Sequence, residues 1–167
     1  KVEIIQTDFN NLEKYKGFIV GNDCFFCIGT TKKNAPDKNE YRRIEYNIPV
    51  KIAQIAKSNS VNSFIYISSL GANSNASGDY LKNKGQVEEE LKKLNFTKLA
   101  ILRPSILLGE RKENRVGEKI GVFVMQLLSP LFLGNLKKIK PIKAEYVAKA
   151  MFAIAQNDYQ KNVFESD

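Results

Sequence analysis

The chain has 167 residues, of which 43% are hydrophobic and 26% charged, enough for one domain with a buried core and too few to expect two. It contains no histidine, which removes Ser-His-Asp and Cys-His nucleophilic centres and His-based zinc sites and leaves any chemistry to Tyr, Lys, Ser, Cys or a carboxylate. The net charge of +8 is carried by scattered basic residues with modest clusters only at Arg111 to Lys119 and Lys137 to Lys143, so a solvated surface is expected ahead of a polyanion footprint and nucleic acid is not an expected partner.

In chain order, "VEII" (Val2 to Ile5) reads as a short strand ending at Thr7 and Asp8, and "DCFFCIG" (Asp23 to Gly29) as a second strand leading into the loop "TTKKNAPDKN". Cys24 and Cys27 form a CxxC inside that apolar run rather than at a helix N-terminus, so they read as small buried apolar residues and not as a redox pair. "EYRRIEYNIPVKIAQIAKS" places Ile44, Ile48, Ile52 and Ile55 on one helical face, with Pro49 removing a backbone bond and predicting a kink. "SFIYISS" is a third strand, "GDYLKNKGQVEEELKKL" a helix that Asp79 could cap, and "KLAILRP" a fourth strand stopped by Pro104. A basic loop, an apolar helix near Lys119 to Leu133 and an amphipathic helix "AEYVAKAMFAIAQ" follow. No run approaches the ~20 apolar residues of a membrane span and the first residues carry no signal-peptide pattern, so no membrane is expected and the cytoplasm is the default location.

Apolar strands alternating with helices predict an α/β fold, a doubly wound and mostly parallel sheet in a three-layer α/β/α sandwich formed by one domain over 1–167. In such sheets ligands bind at the C-terminal strand ends. The residues expected there are Asp8, then Gly29, Thr30 and Thr31, then Ser68 and Ser69, then Pro104 and Ser105. Tyr80 and Lys84 stand one helical turn apart on the following helix, on one face. A strand-end hydroxyl, a phenol and an ammonium make a proton-transfer device without histidine: the ammonium favours the phenolate, drawing the tyrosine down from ~10. Each residue also has a plain structural reading, with Asp8 as a turn former, Gly29 as a strand end, the serines as local caps and Pro104 as a helix stop.

Tyr80-Leu-Lys-Asn-Lys84 resembles the YxxxK motif of the short-chain dehydrogenase/reductase superfamily, and "FIYISS" its serine-bearing strand. Together with "CIGTT", "YISSLGAN" and "LRPSILLGERKENRVGE", the chain resembles the atypical, Tat-interacting-protein-like branch from Val2 to about Glu165. The resemblance implies a Rossmann-like fold and an NAD(P)-dependent oxidoreductase acting on an unknown small carbonyl or alcohol, with NADP ranked slightly ahead of NAD. It implies Ser69, with Ser68 as the alternate, as substrate-orienting hydroxyl, Tyr80 as acid/base and Lys84 as ribose ligand. Asp8 is implied near the adenine, Gly29 and Thr30 near the adenosine ribose and pyrophosphate, and Pro104 and Ile106 beside the nicotinamide, with Thr31, Ser68 and Ser105 also implied as cofactor-binding residues. The family's GxxGxxG loop and second strand are not among these residues, so the fold is expected to be N-terminally incomplete, with a sheet edge open to association. An NADP(H)-binding regulatory or scaffold protein with a protein partner is the alternative, and a polyanion binder using Arg111 to Lys119 a third reading.

Overall fold

The computed structural model describes residues 2–108 and 140–166. Its centre is a four-stranded, all-parallel sheet of β1 (Asp23–Phe26), β2 (Ser63–Ile67), β3 (Lys98–Arg103) and β6 (Val163–Glu165), in the order β1-β2-β3-β6. A second, two-stranded parallel ladder joins β4 (Leu107–Leu108) to β5 (Ile142–Lys143). Side chains alternate across each strand, and both sides of this sheet are apolar. On one side Phe26, Phe64, Tyr66, Leu99 and Ile101 pack against two helices, α2 (Ile48–Ser58) and α3 (Asp79–Lys93), through Ile48, Ile52, Ile55, Val87 and Leu91. On the other, Ile65, Ala100 and Leu102 meet Val147, Met151 and Ile154 of α4 (Ala144–Gln156). The expected three-layer, doubly wound arrangement is therefore present.

The helix read over Glu40 to Ser58 is continuous but not uniform. It runs from α1 (Lys38–Arg42), capped by the Asp37 carboxylate, through a π-helical turn at Arg43–Asn47 into α2. Ile48 N–H reaches back five residues to Arg43 O. The proline ring at position 49 crowds the carbonyl four residues before it, and widening the turn relieves that contact. The kink expected at Pro49 thus takes the form of a π turn, and it lies beside the cleft described below.

Three expectations change, and four elements appear that were not expected. Val2 to Ile5 form no strand, and Val2 and Ile4 are 89% and 91% exposed. A strand exists only by pairing, and among the described residues none pairs with this segment. Asp79 does not cap α3: the cap position is Gly78, without a side-chain cap bond, and the Asp79 carboxylate instead pairs with Lys32 at 2.9 Å. Cys24 lies in β1, but Cys27 is exposed just beyond it. β4, β5, β6 and a 3-10 helix at Leu12–Phe18 were not legible in the hydrophobic pattern. The apolar helix expected at Lys119 to Leu133 and the basic loop at Arg111 to Lys119 lie outside the described residues.

Candidate functional site

β1, β2 and β3 end side by side, and the backbone beyond them frames a cleft of about 910 Å³, a volume typical of ligand pockets. Gly29, Thr30 and Thr31 line it from beyond β1, Ser68 and Ser69 from beyond β2, and Pro104, Ser105 and Ile106 from beyond β3. Tyr80 and Lys84 enter from the first two turns of α3, with Tyr41 and Glu45 opposite on the helix that contains the π turn. Every residue expected at the site is there except Asp8. Its segment forms no strand, and its carboxylate accepts the Asn10 N–H at 2.9 Å, which makes it an exposed turn former.

Lys84 is only 4% exposed, whereas Tyr80 is 40% exposed at the cleft mouth. The Lys84 ammonium lies 5.9 Å from the Tyr80 ring centroid and 4.9 Å from that of Tyr66. It donates to Ile67 O at 3.2 Å and faces Glu45 Oε2 at 3.3 Å. Burial pulls the Lys84 amine below its ordinary value, and the Glu45 charge 3.3 Å away pushes back.

The two serines separate by environment. Ser68 is 2% exposed and its hydroxyl donates to Glu88 Oε1 at 2.5 Å, in a buried network where Arg103 also holds Glu88 through Nε at 2.9 Å and Nη2 at 2.6 Å. Ser69 is half-buried, and among the described residues its hydroxyl makes a single, long 3.4 Å contact to Leu70 O. Of the two, Ser69 presents the hydroxyl suited to an incoming oxygen. Ser105 is anchored too, its hydroxyl donating to Lys140 O at 2.5 Å and its N–H to Ser166 Oγ at 3.2 Å. Pro104 and Ile106 contribute apolar surface beside it, Ile106 being 46% exposed.

The sequence reading missed Glu45, Glu88 and Cys27. The carboxylates had a signal: Tyr41, Glu45, Ile48, Ile52 and Ile55 recur at helical spacing, as do Lys84, Val87, Glu88 and Leu91, and a charge inside an apolar stripe must be paired. Cys27 had none, because strand end and strand interior look alike in an apolar run.

A family described as NAD(P)H-binding matches residues 1–158. The chain belongs to the NAD(P)H-binding family. Within that family it stands with the atypical short-chain dehydrogenases/reductases its motifs resemble, being 37% identical over 112 residues to the protein HTATIP2 of Rattus norvegicus, across 66% of this chain and 46% of that protein. It is 38% identical over 141 residues to the protein FMP52-1, mitochondrial, of Scheffersomyces stipitis, across 82% of this chain and 60% of that one. The chain thus spans well under two thirds of the length of these relatives. Among solved structures it resembles MoeE5 in complex with UDP-glucose and NAD (TM-score 0.67, 14% identity, 96% of this chain and 60% of that one). It also resembles a UDP-N-acetylglucosamine 4-epimerase of Methanobrevibacter ruminantium (TM-score 0.65, 17% identity, 96% and 59%). At these identities the structures establish the Rossmann-like fold.

The family's nicotinamide dinucleotide fits the residues present. Ribose and phosphate oxygens want N–H, hydroxyl and ammonium donors, which the strand ends and Lys84 supply, and a flat ring wants the apolar surface of Pro104 and Ile106. The GxxGxxG loop is not among the 167 residues, so these residues do not themselves supply the pyrophosphate contact that the loop makes in the family.

Proposed function

We propose that the protein is an NAD(P)-dependent oxidoreductase acting on a carbonyl or alcohol, with Tyr80 as the group that exchanges a proton with the substrate oxygen. The observation that carries this reading is the gathering of Ser69, Tyr80 and Lys84 at one cleft, with the phenol at its mouth and the ammonium buried beneath. Ser69 holds the substrate oxygen through its hydroxyl, Tyr80 gives or takes the proton at that oxygen, and Lys84 binds a ribose hydroxyl while its charge favours the phenolate. The bound dinucleotide supplies or accepts the hydride. NADP is proposed ahead of NAD, and comparing the thermal shifts produced by NADPH and NADH decides the preference.

The test of activity is reduction of a carbonyl panel followed by loss of NADPH absorbance, with Tyr80→Phe alongside. A general acid contributes about 10²- to 10⁴-fold, so Tyr80→Phe should lose at least ~100-fold in kcat while retaining dinucleotide binding. An unchanged rate removes Tyr80 from the mechanism. Dinucleotide binding without turnover on any carbonyl would favour the regulatory or scaffold reading, with a protein partner to be sought by capture in the presence and absence of NADPH. Cell fractionation tests the cytoplasmic expectation against the compartment in the names of the FMP52 relatives. Among the described residues no helix is long and apolar enough to cross a membrane.

A further inference from the structure

Glu45 is a carboxylate with 1% of its surface exposed, a position in which a charge persists only when it is paired. It sits in the π turn upstream of Pro49, a local widening of the kind that recurs at functional sites. Its two oxygens serve two different walls of the cleft. Oε1 accepts the backbone N–H of Thr30, beyond β1, at 2.5 Å, and Oε2 lies 3.3 Å from the Lys84 ammonium on α3. Gly29 leaves little slack, since a Cβ there would stand 3.1 Å from Oε1.

We propose that Glu45 is a positioning residue for the bound dinucleotide. One carboxylate fixes the spacing between the Thr30 loop and Lys84, and it keeps Lys84 charged in a buried setting. The inference rests on the reading of the cleft as a nicotinamide site. The groups that act on the Lys84 amine are Glu45 from the π turn, Cys27 from beyond β1, Tyr66 from β2, and Tyr80 and Glu88 from α3. Burial disfavours the ammonium, Glu45 is the largest influence opposing it, and Glu88 and Cys27 oppose it more weakly. Without the Glu45 charge, the amine should release its proton at a lower pH.

Two substitutions separate charge from position. Glu45→Gln keeps the shape and can still accept from Thr30, but it removes the charge and turns the oxygen facing Lys84 into an amide donor, whereas Gly29→Ala keeps the charge and displaces Oε1. The Lys84 amine is titrated by NMR on lysine-labelled protein without dinucleotide, and the NADPH dissociation constant is measured by fluorescence across pH. In Glu45→Gln the amine should titrate at lower pH than in the wild type, and affinity, about tenfold weaker near neutrality, should fall further as pH rises through the shifted value. Glu45→Asp should restore part of both. A purely structural role would lower thermal stability and leave the pH dependence of binding parallel to the wild type. That parallel profile, or an unchanged Lys84 titration, overturns the proposal, and if Glu45→Gln does not fold, Glu45→Asp decides: it draws the carboxylate back from Lys84, so the amine should titrate at lower pH than in the wild type, and an unchanged titration overturns the proposal. Should the wild type bind no NADPH, the proposal falls with the nicotinamide reading, and the amine titration shows whether the Glu45–Lys84 pairing survives that failure.

Discussion

Ser68 and Ser69 are adjacent in sequence and opposite in use, because successive residues at a strand end point to different sides. Ser68 belongs to the Glu88 and Arg103 network, in which Glu88 is 2% exposed. Glu88→Ala would remove the main partner of Arg103, but Arg103 is partly exposed and keeps Glu165 at 3.8 Å, so the cost should be that of a lost charged hydrogen-bond partner, about 1–3 kcal/mol. A calorimetric melt should show that loss, while Ser69→Ala should leave the melt nearly unchanged and lower turnover. The cysteines make a second residue-scale test. Burial pushes the Cys24 thiol up to about 11 from 9.0; burial raises Cys27 too, against the nearby Lys84 charge, but Cys27 is exposed at the cleft. Maleimide should therefore label Cys27 first, and NADPH should slow that labelling; equal rates at both thiols would contradict the burial difference. Folded Cys24 keeps its proton to higher pH than the unfolded thiol, so its contribution to stability is present below 9.0 and is lost as pH rises toward about 11. Cys24→Ala should flatten that part of the stability profile in alkaline melts.

At the scale of elements, α3 is placed by one close approach. A Cβ at Gly85 would lie 2.3 Å from both the carbonyl carbon of Asn73 and the backbone nitrogen of Ser74. Backbone cannot yield as a flexible side chain can, so Gly85→Ala must shift the 72–74 segment or the helix. Such overpacking costs about 1–3 kcal/mol, and because α3 carries both Tyr80 and Lys84, turnover should fall together with the melting temperature. A melt within a degree of the wild type would mean that the contact relaxes freely. Arg42 braces the same helix from α1, donating to Asn83 Oδ1 and Gln86 Oε1, each at 2.8 Å. These contacts are invisible to periodicity. The helical spacing of Tyr80 and Lys84 could be read from the sequence, but the loop on which their helix rests could not.

At the scale of the whole molecule, the sheet is covered on both faces, and among the described residues its two outer strands, β1 and β6, each have a single neighbour. Among the described residues β1 has β2 as its only neighbour, and Phe25 on that strand is 44% exposed. Ile5, Tyr15, Phe18 and Val20 line an apolar cleft of about 360 Å³ beside it. An unpaired, apolar strand edge invites pairing with another chain. The 167-residue chain should therefore gain mass with concentration in light scattering, and Phe25→Lys should reduce the gain. A mass that stays monomeric at all concentrations would show the edge to be protected.

Hydrophobic pattern by itself determined the fold class, the two-sided burial of β2 and β3, the helical stripe through Ile48, Ile52 and Ile55, and the common strand-end edge that gathers Ser69, Tyr80 and Lys84. These follow from short-range periodicity, which a linear sequence carries in full. Tertiary structure decided what depends on a distant partner: that Val2 to Ile5 stay unpaired, that Asp79 turns to Lys32, that Ser68 is taken by Glu88, and that Glu45 reaches across to Lys84. The physical reason is that a strand or a buried charge is defined by its neighbour, and neighbours brought together by folding leave no local mark on the chain.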